Sequence, residues 1–354
     1  MIINQQFISR YARPCVSTME TDRWIGVVCF NISGQNVCLK LIFMIDSVLH
    51  SIGKRYMEII FCADPLSSKS VDSDYVHEAK AAATCSLSYS LISYEALVSD
   101  NDINSAFTRM TKTMPFRPTL YRGWMMTPEK YTVLYHALEH YGIKLINTPT
   151  QYQHCHHLPE NYPIIQALTP KTVWIKNEAD FSIGAIMKAL EPFGTRPVIL
   201  KDYVKSQKHY WHEACFIPSA DNEKAVSNVV QRFIELQQPE GGLVFREYLA
   251  LESIGKHAKS GMPLSLEYRI FFLNHKPIAV YPYWDDAEYP LMAPPLETFI
   301  EMAQHVDSLF FTMDVAKSKE LGWVIVELGD GQVAGLPDNA DLQFLFSECR
   351  KYLL

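Results

Sequence analysis

Four short apolar runs, each closing on charge, restrict this chain more than any other feature. Pro197-Val198-Ile199-Leu200 runs into Lys201, and a turn through Asp202-Tyr203-Val204 delivers Lys205. Downstream come Phe245-Arg246-Glu247-Tyr248-Leu249, then Glu267-Tyr268-Arg269, then Val324-Ile325-Val326-Glu327-Leu328-Gly329-Asp330. A short continuous apolar run bounded by turn signals reads as a buried strand. Charge at its end is carried to the rim of a core. The order is two cations, an apolar hinge, an arginine, then strand-end carboxylates. No one of these motifs is diagnostic; their ordered set is.

The chain has 354 residues, enough for two or three packed units. Its 32 Lys and Arg against 39 Asp and Glu give a formal charge of -7, so no global field draws it to nucleic acid or anionic membrane. Basic chemistry must therefore be local. Cys15, Cys29, Cys38, Cys62, Cys85, Cys155, Cys215 and Cys349 show no CxxC spacing, which argues against a zinc ribbon. Scattered cysteines in a chain of this size suit a reducing cytosol. The longest apolar run, near Val37–Ile52, is broken by Lys40 and Asp46 and is too short to span a bilayer. Charges at Arg10, Arg13, Glu20, Asp22 and Arg23 make the N-terminus a poor signal peptide. The expectation is a cytoplasmic protein with neither nucleic-acid nor membrane partners.

Residues 1–56 show no strand–helix rhythm and are expected to be a poorly ordered extension or not part of the native fold. The character changes at Met57, where folding or translation is expected to begin. Residues 57–167 carry βαβ rhythm, from the strand Glu58–Asp64 to the helix opened by Thr127-Pro128 and the strand Ile143–Ile146, and suggest a small parallel sheet. Thr127 is a suitable N-cap and Pro128 suits the first helical turn. Residues 168–240 predict strands at Thr172–Ile175 and Pro197–Leu200, with helices at Ser182–Leu190 and Lys224–Leu236. Residues 241–354 predict strands at Leu243–Phe245, Ser265–Leu273, Pro277–Tyr283, Trp323–Glu327 and Gln332–Gly335, and a helix at Pro295–Phe311.

Two lysines at a strand end neutralise a polyphosphate if both point into one cleft. The strand Gly242–Tyr248 can present its backbone to an adenine edge. Glu327, Asp330 and Asp314, the last expected at the close of the preceding helix, are oxygen donors suited to magnesium beside phosphates. Gly329-Asp330-Gly331 also reads as a hairpin turn. Arg122, between a strand and a helix N-terminus, is placed to grip an anion, or else lies at the surface stacked on Trp124. His154-Cys155-His156-His157 has spacing that suits no common metal set, so it reads as a loop or interface cluster.

With these parts in order, residues from about Thr169 to Pro337 resemble the ATP-grasp fold. Lys201-Asp202-Tyr203-Val204-Lys205-Ser206 further resembles the clade named for one arginine and two lysines. The resemblance extends upstream through Tyr121-Arg122-Gly123-Trp124-Met125 and His156-His157-Leu158-Pro159 to Met57. It implies an α+β chain: two α+β subdomains, at 168–240 and 241–354, preceded by a small α/β parallel-sheet domain at 57–167. It also implies a carboxylate–amine ligase using ATP and Mg2+, with Mn2+ as an alternative, on small-molecule or peptide substrates. Lys201 and Lys205 then hold phosphates, and Arg269 stabilises the transferring group. Arg246, Glu247, Tyr248, Leu249 and Glu252 line the nucleotide hinge, with Glu247 or Glu252 on the ribose. Asp314, Glu327 and Asp330 hold the metal, and Arg122 the acceptor carboxylate. There are two departures. The usual Glu-x-Asn metal pair is Glu327-Leu328-Gly329 here, so Asp330 is expected to replace the asparagine. The hinge position where many relatives carry glutamate is Arg246. A kinase of the same fold, or a nucleotide-binding module without catalysis, are the rival readings.

Overall fold

In a computed structural model, residues 12–20, 23–32 and 35–42 are described as strands, and residues 58–353 are described apart from 113–116, 178–179, 257–262, 286 and 339. The chain divides into two compact units, Met1–Tyr56 and Met57–Leu353. In the first, β1 (Ala12–Glu20), β2 (Arg23–Ile32) and β3 (Gln35–Ile42) form an antiparallel meander. The sequence masks these strands, because Val27-Val28-Cys29-Phe30 is apolar at consecutive positions and shows no alternation. The other residues of 1–56, and Met57 itself, lie outside those described.

The second unit opens with β4 (Glu58–Asp64), β5 (Ser67–Val71), α1 (Val76–Thr84), β6 (Ser88–Ile92), α2 (Tyr94–Val98), α3 (Ile103–Ala106), β7 (Arg117–Arg122), α4 (Pro128–His140) and β8 (Ile143–Leu145). β4 pairs in parallel with β6 on one side and β7 on the other, and β7 pairs in parallel with β8. This is the expected small parallel sheet. Ile59, Ile60, Phe61 and Cys62 are fully buried, as a strand covered on both faces requires. Thr127 caps α4 by accepting from the Lys130 N–H.

Next come α5 (Pro149–His156), α6 (Leu158–Ile165), β9 (Thr172–Lys176), α7 (Ile183–Leu190), β10 (Val198–Lys201), β11 (Phe216–Ile217), α8 (Glu223–Leu236) and β12 (Gly242–Glu247). The antiparallel sheet has the order β11-β10-β12-β9. The stripe Val226, Val229, Val230 and Phe233 on α8 is buried in its core. Gly241 and Gly242 start β12 with φ of +73° and +151°, and a Cβ on Gly242 would meet the Ile175 carbonyl at 2.1 Å. The strand can start here only on glycine.

The last part holds β13 (Ser253–Lys256), β14 (Pro263–Ser265), β15 (Glu267–Leu273), β16 (Lys276–Pro282), α9 (Leu296–Ala303), β17 (Phe310–Ser318), β18 (Gly322–Asp330) and α10 (Leu342–Leu353). Its sheet has the order β16-β15-β17-β18, all antiparallel. Several sequence expectations are corrected. The helix expected over Pro295–Phe311 stops at Ala303, because Phe310 and Phe311 pair with Leu273 and Phe272. Asp314 therefore lies inside a strand. Residues 332–335 form no strand, and Asp330 ends β18 instead of turning a hairpin. His154–His156 belong to α5, whose N-terminus is fixed by a Thr148–Gln151 capping box.

Candidate functional site

The cross-strand register builds the site. Arg269 on β15 lies opposite Asp314 on β17, and Asp314 lies opposite Glu327 on β18. Because side chains alternate, Glu267 shares the Arg269 face and Thr312 the Asp314 face. Arg269 grips Asp314 through both arms, Nε to Oδ1 at 2.8 Å and an Nη to Oδ2 at 2.7 Å. Burial pushes the Asp314 carboxyl up against the pull of Arg269, and neighbouring Glu327 adds to the rise. Burial also acts on Glu327, but the surrounding cations Lys201, Lys208, Arg269 and Arg246 outweigh it and hold this carboxylate low. Lys201, at the end of β10 and only 8% exposed, places Nζ 3.7 Å from Glu327 Oε2. Burial lowers its pKa and Glu327 opposes that fall. Lys201, Arg269, Asp314 and Glu327 thus come together as the strand ends suggested.

Lys205 is exposed, in a loop organised by Asp202, whose Oδ1 accepts from the Val204 and Lys205 N–H groups. Two charges escaped the sequence reading. Lys208 is exposed yet sits in the mouth of the cleft. Burial would lower its pKa, and Glu327, Tyr283, Glu267 and Asp314 together raise it to about 12. Glu267 is buried, and desolvation with the nearby Asp314 charge pushes it up to about 7. The recurring spacing Lys201, Lys205, Lys208 was the available signal for the first. Nothing local marks the second.

Three expected site residues are drawn elsewhere. Arg122 is 2% exposed and forks onto Glu78, with Nε to Oε2 at 2.7 Å and an Nη to Oε1 at 2.8 Å. Its other arm donates to the Gly331 and Ala334 carbonyls at 2.7 and 3.0 Å. It joins β7 to the segment after β18 and is not free for an acceptor. Arg246 donates to the carbonyls of Val326 and Ile325 and to the Thr169 hydroxyl, tying β12 to β18. Asp330 points to the face opposite Glu327. Its Oδ2 accepts from Asn147 at 2.6 Å and its Oδ1 from the Gln332 backbone at 2.9 Å. Alternation, not distance along the chain, removes it from the carboxylate row.

Along the hinge, the N–H groups of Glu247 and Tyr248 already donate to the Lys171 and Pro197 carbonyls. The Glu247 carboxylate meets Arg196 at 2.7 Å, Glu252 meets Lys317 at 3.4 Å, and Tyr248 lies edge-on to Phe216. Leu249 is half-buried.

Burial pushes the Asp330 carboxyl up to about 6, against the hydrogen bonds from Asn147 and Gln332. An acid raised on folding binds a proton in the native state that the unfolded chain has released. Stability therefore falls as pH rises from about 4 to about 6 and then levels off. Asp330→Asn should flatten that slope in pH-dependent melting. It should also leave the Mn2+ dependence of nucleotide binding within about twofold of the native value. A rise in the metal requirement would restore Asp330 to the metal site.

A cavity of about 120 Å³ adjoins the carboxylate row, lined among others by Met125, His156, Val204, Arg269, Thr312, Glu327 and Gly335. Thr312 fills the space beside Gly329, where a Cβ would lie 2.8 Å from its hydroxyl. Magnesium takes one or two protein carboxylates with substrate phosphates. Asp314 and Glu327 fit that role. Among the described residues no three His, Cys, Asp or Glu side chains converge into an all-protein cage, as is usual for this ion.

Residues 191–348 match a family model for the ATP-grasp domain, family 3 of the clade named for one arginine and two lysines. The fold is that of a RimK domain ATP-grasp protein from Sphaerobacter thermophilus (13% identity, 84% of this chain and 99% of that one, TM-score 0.53). It also matches D-cycloserine synthetase DcsG (12% identity, 84% and 100%, TM-score 0.53) and the ATP-grasp ligase PsnB, solved with a precursor variant, Mg and ADP (10% identity, 83% and 96%, TM-score 0.50). No curated protein matches the chain. Among the described residues no helix is long and apolar enough to cross a membrane. The chain carries an ATP-grasp domain, and its fold is the ATP-grasp fold.

Proposed function

Taking the ATP-grasp domain as premise, we propose that this protein is a carboxylate–amine ligase that forms an amide through an acyl phosphate and releases ADP. The observation that carries the reading is the lateral row Arg269–Asp314–Glu327, with Lys201 against its end. Lys201, joined by Lys205 and Lys208, neutralises the nucleotide's phosphates. Arg269 supplies fixed positive charge to the group in transfer, held in place by Asp314 before any substrate arrives. Asp314 and Glu327 are the residues that would hold Mg2+ or Mn2+, and the ion would neutralise charge on the β- and γ-phosphates. A substrate carboxylate oxygen attacks the γ-phosphorus and ADP leaves. The amine nitrogen then attacks the acyl carbon, and inorganic phosphate departs as the amine gives up its proton. The protein contributes position and charge, with no covalent step of its own. In support, burial pushes the thiols of Cys62, Cys215 and Cys349 up to about 11, 12 and 12, far from thiolate nucleophiles.

The test is mass spectrometry of a small-molecule extract incubated with the protein and Mg-ATP. The expected products are ADP, inorganic phosphate and a new condensation product, with a hydroxamate in its place when hydroxylamine is added. AMP with pyrophosphate would overturn the acyl-phosphate route. A stable phosphorylated product would assign the protein to the kinases.

A further inference from the structure

His156 is 7% exposed, and neither of its ring nitrogens meets a hydrogen-bond partner. A buried polar group left unpaired costs about 1–3 kcal/mol, so a purely structural imidazole would be expected to find a carbonyl. The Tyr152 carbonyl, one helical turn back, influences the ring without reaching hydrogen-bond geometry. The ring is nevertheless held firmly. It stacks on Tyr152 at 4.3 Å between centroids, and Tyr152 stacks on Tyr131 at 4.0 Å. Both phenols are anchored: Tyr152 donates to the Met126 carbonyl at 2.7 Å, and Tyr131 to the Asn147 carbonyl at 2.8 Å. A rigid mount carrying unpaired nitrogens, on the wall of the cavity that Arg269, Asp314 and Glu327 also line, is the arrangement expected of a ligand contact.

We propose that His156 donates a ring N–H to an oxygen of the nucleotide's γ-phosphoryl group. This rests on the reading above that the cleft holds a nucleotide triphosphate. Burial keeps the ring neutral, helped by neighbouring His157, so it offers one N–H and one lone pair. A cavity of about 150 Å³ holds one benzene, so this slightly smaller one takes a group of a few heavy atoms. The wall that His156 shares with Arg269 and Glu327 is the γ-phosphoryl end of the cleft, whereas Lys201 lies outside that lining. A hard ion that selects oxygen ligands gives imidazole no role as its ligand.

The test is calorimetric titration of the full chain with Mg2+ and either ADP or the non-hydrolysable triphosphate AMPPNP. His156→Phe keeps a ring for the stack and removes the N–H. It should weaken AMPPNP about 10- to 100-fold, as loss of a charge-assisted hydrogen bond does, while ADP stays within about twofold. His156→Gln, which keeps an N–H, should recover most of the difference. An AMPPNP-to-ADP affinity ratio unchanged in His156→Phe overturns the proposal, whether both affinities fall together or neither falls. Should the variants fail to fold, the imidazole 15N signals of the native chain decide. They should move with AMPPNP and not with ADP, and identical spectra would overturn the contact. A native chain that binds neither nucleotide overturns the ligase reading itself, a separate outcome that removes this proposal with it.

Discussion

Arg122→Ala should lower the stability of the free protein by about 3–5 kcal/mol, the usual cost of breaking a buried ion pair by removing one partner. Glu78 would be left as a buried carboxylate, and the Gly331 and Ala334 carbonyls would lose their donor. For domains of about 150–250 residues, roughly 2–4 °C per kcal/mol implies a fall in melting temperature of about 6–20 °C. Arg122→Lys should recover only part of it, because an ammonium cannot fork across both Glu78 oxygens. Nucleotide affinity, measured below the melting transition, should stay near the native value. A stable Arg122→Ala protein that no longer binds its carboxylate substrate would return Arg122 to the acceptor role that its sequence position suggested.

Lys201→Ala should weaken Mg-AMPPNP binding by about 2–4 kcal/mol, roughly 30- to 1,000-fold, since a charge in a partly desolvated cleft would be lost. The melting temperature should not fall. Burial already depresses this ammonium's pKa, so its charge is carried at a cost that alanine removes. Glu327 would retain Lys208, Arg269 and Arg246 as neighbouring cations. Sites that give up stability for function behave in this way. Lys205→Ala, at an exposed loop position, should have the smaller effect. Native affinity in Lys201→Ala would place the nucleotide elsewhere and remove the basis of the proposed chemistry.

The parts of the fold read correctly from the sequence are those governed by short-range physics. Thr127-Pro128 opens α4 because a hydroxyl and a fixed φ act within three residues, and the stripe on α8 declares its face by its own period. The errors have a different origin. The helix expected to run to Phe311 ended early because β15 required a strand partner, and a distant strand's need for hydrogen bonds outranks local periodicity. Asp330 looked like a stand-in for the missing asparagine because it is near Glu327 along the chain. Strand alternation turns it to the other face, and Thr312 from β17 takes the space beside Gly329 instead.

What this sequence determines by itself is which elements form and what charge each strand carries to its end: Lys201 on β10, Arg269 on β15, Glu327 on β18. Those choices rest on residue type and period, quantities that a few neighbouring residues contain. The tertiary structure alone decided which charges face one another. Arg269 and Asp314 are 45 residues apart, and Arg122 and Glu78 are 44. In isolation both arginines looked equally able to grip an anion. Register set one against a carboxylate at the cleft mouth, while helix-on-sheet packing sealed the other against Glu78. The same packing left His156 without a partner, because a hydrogen bond depends on angstrom-scale placement across elements that share no sequence neighbourhood.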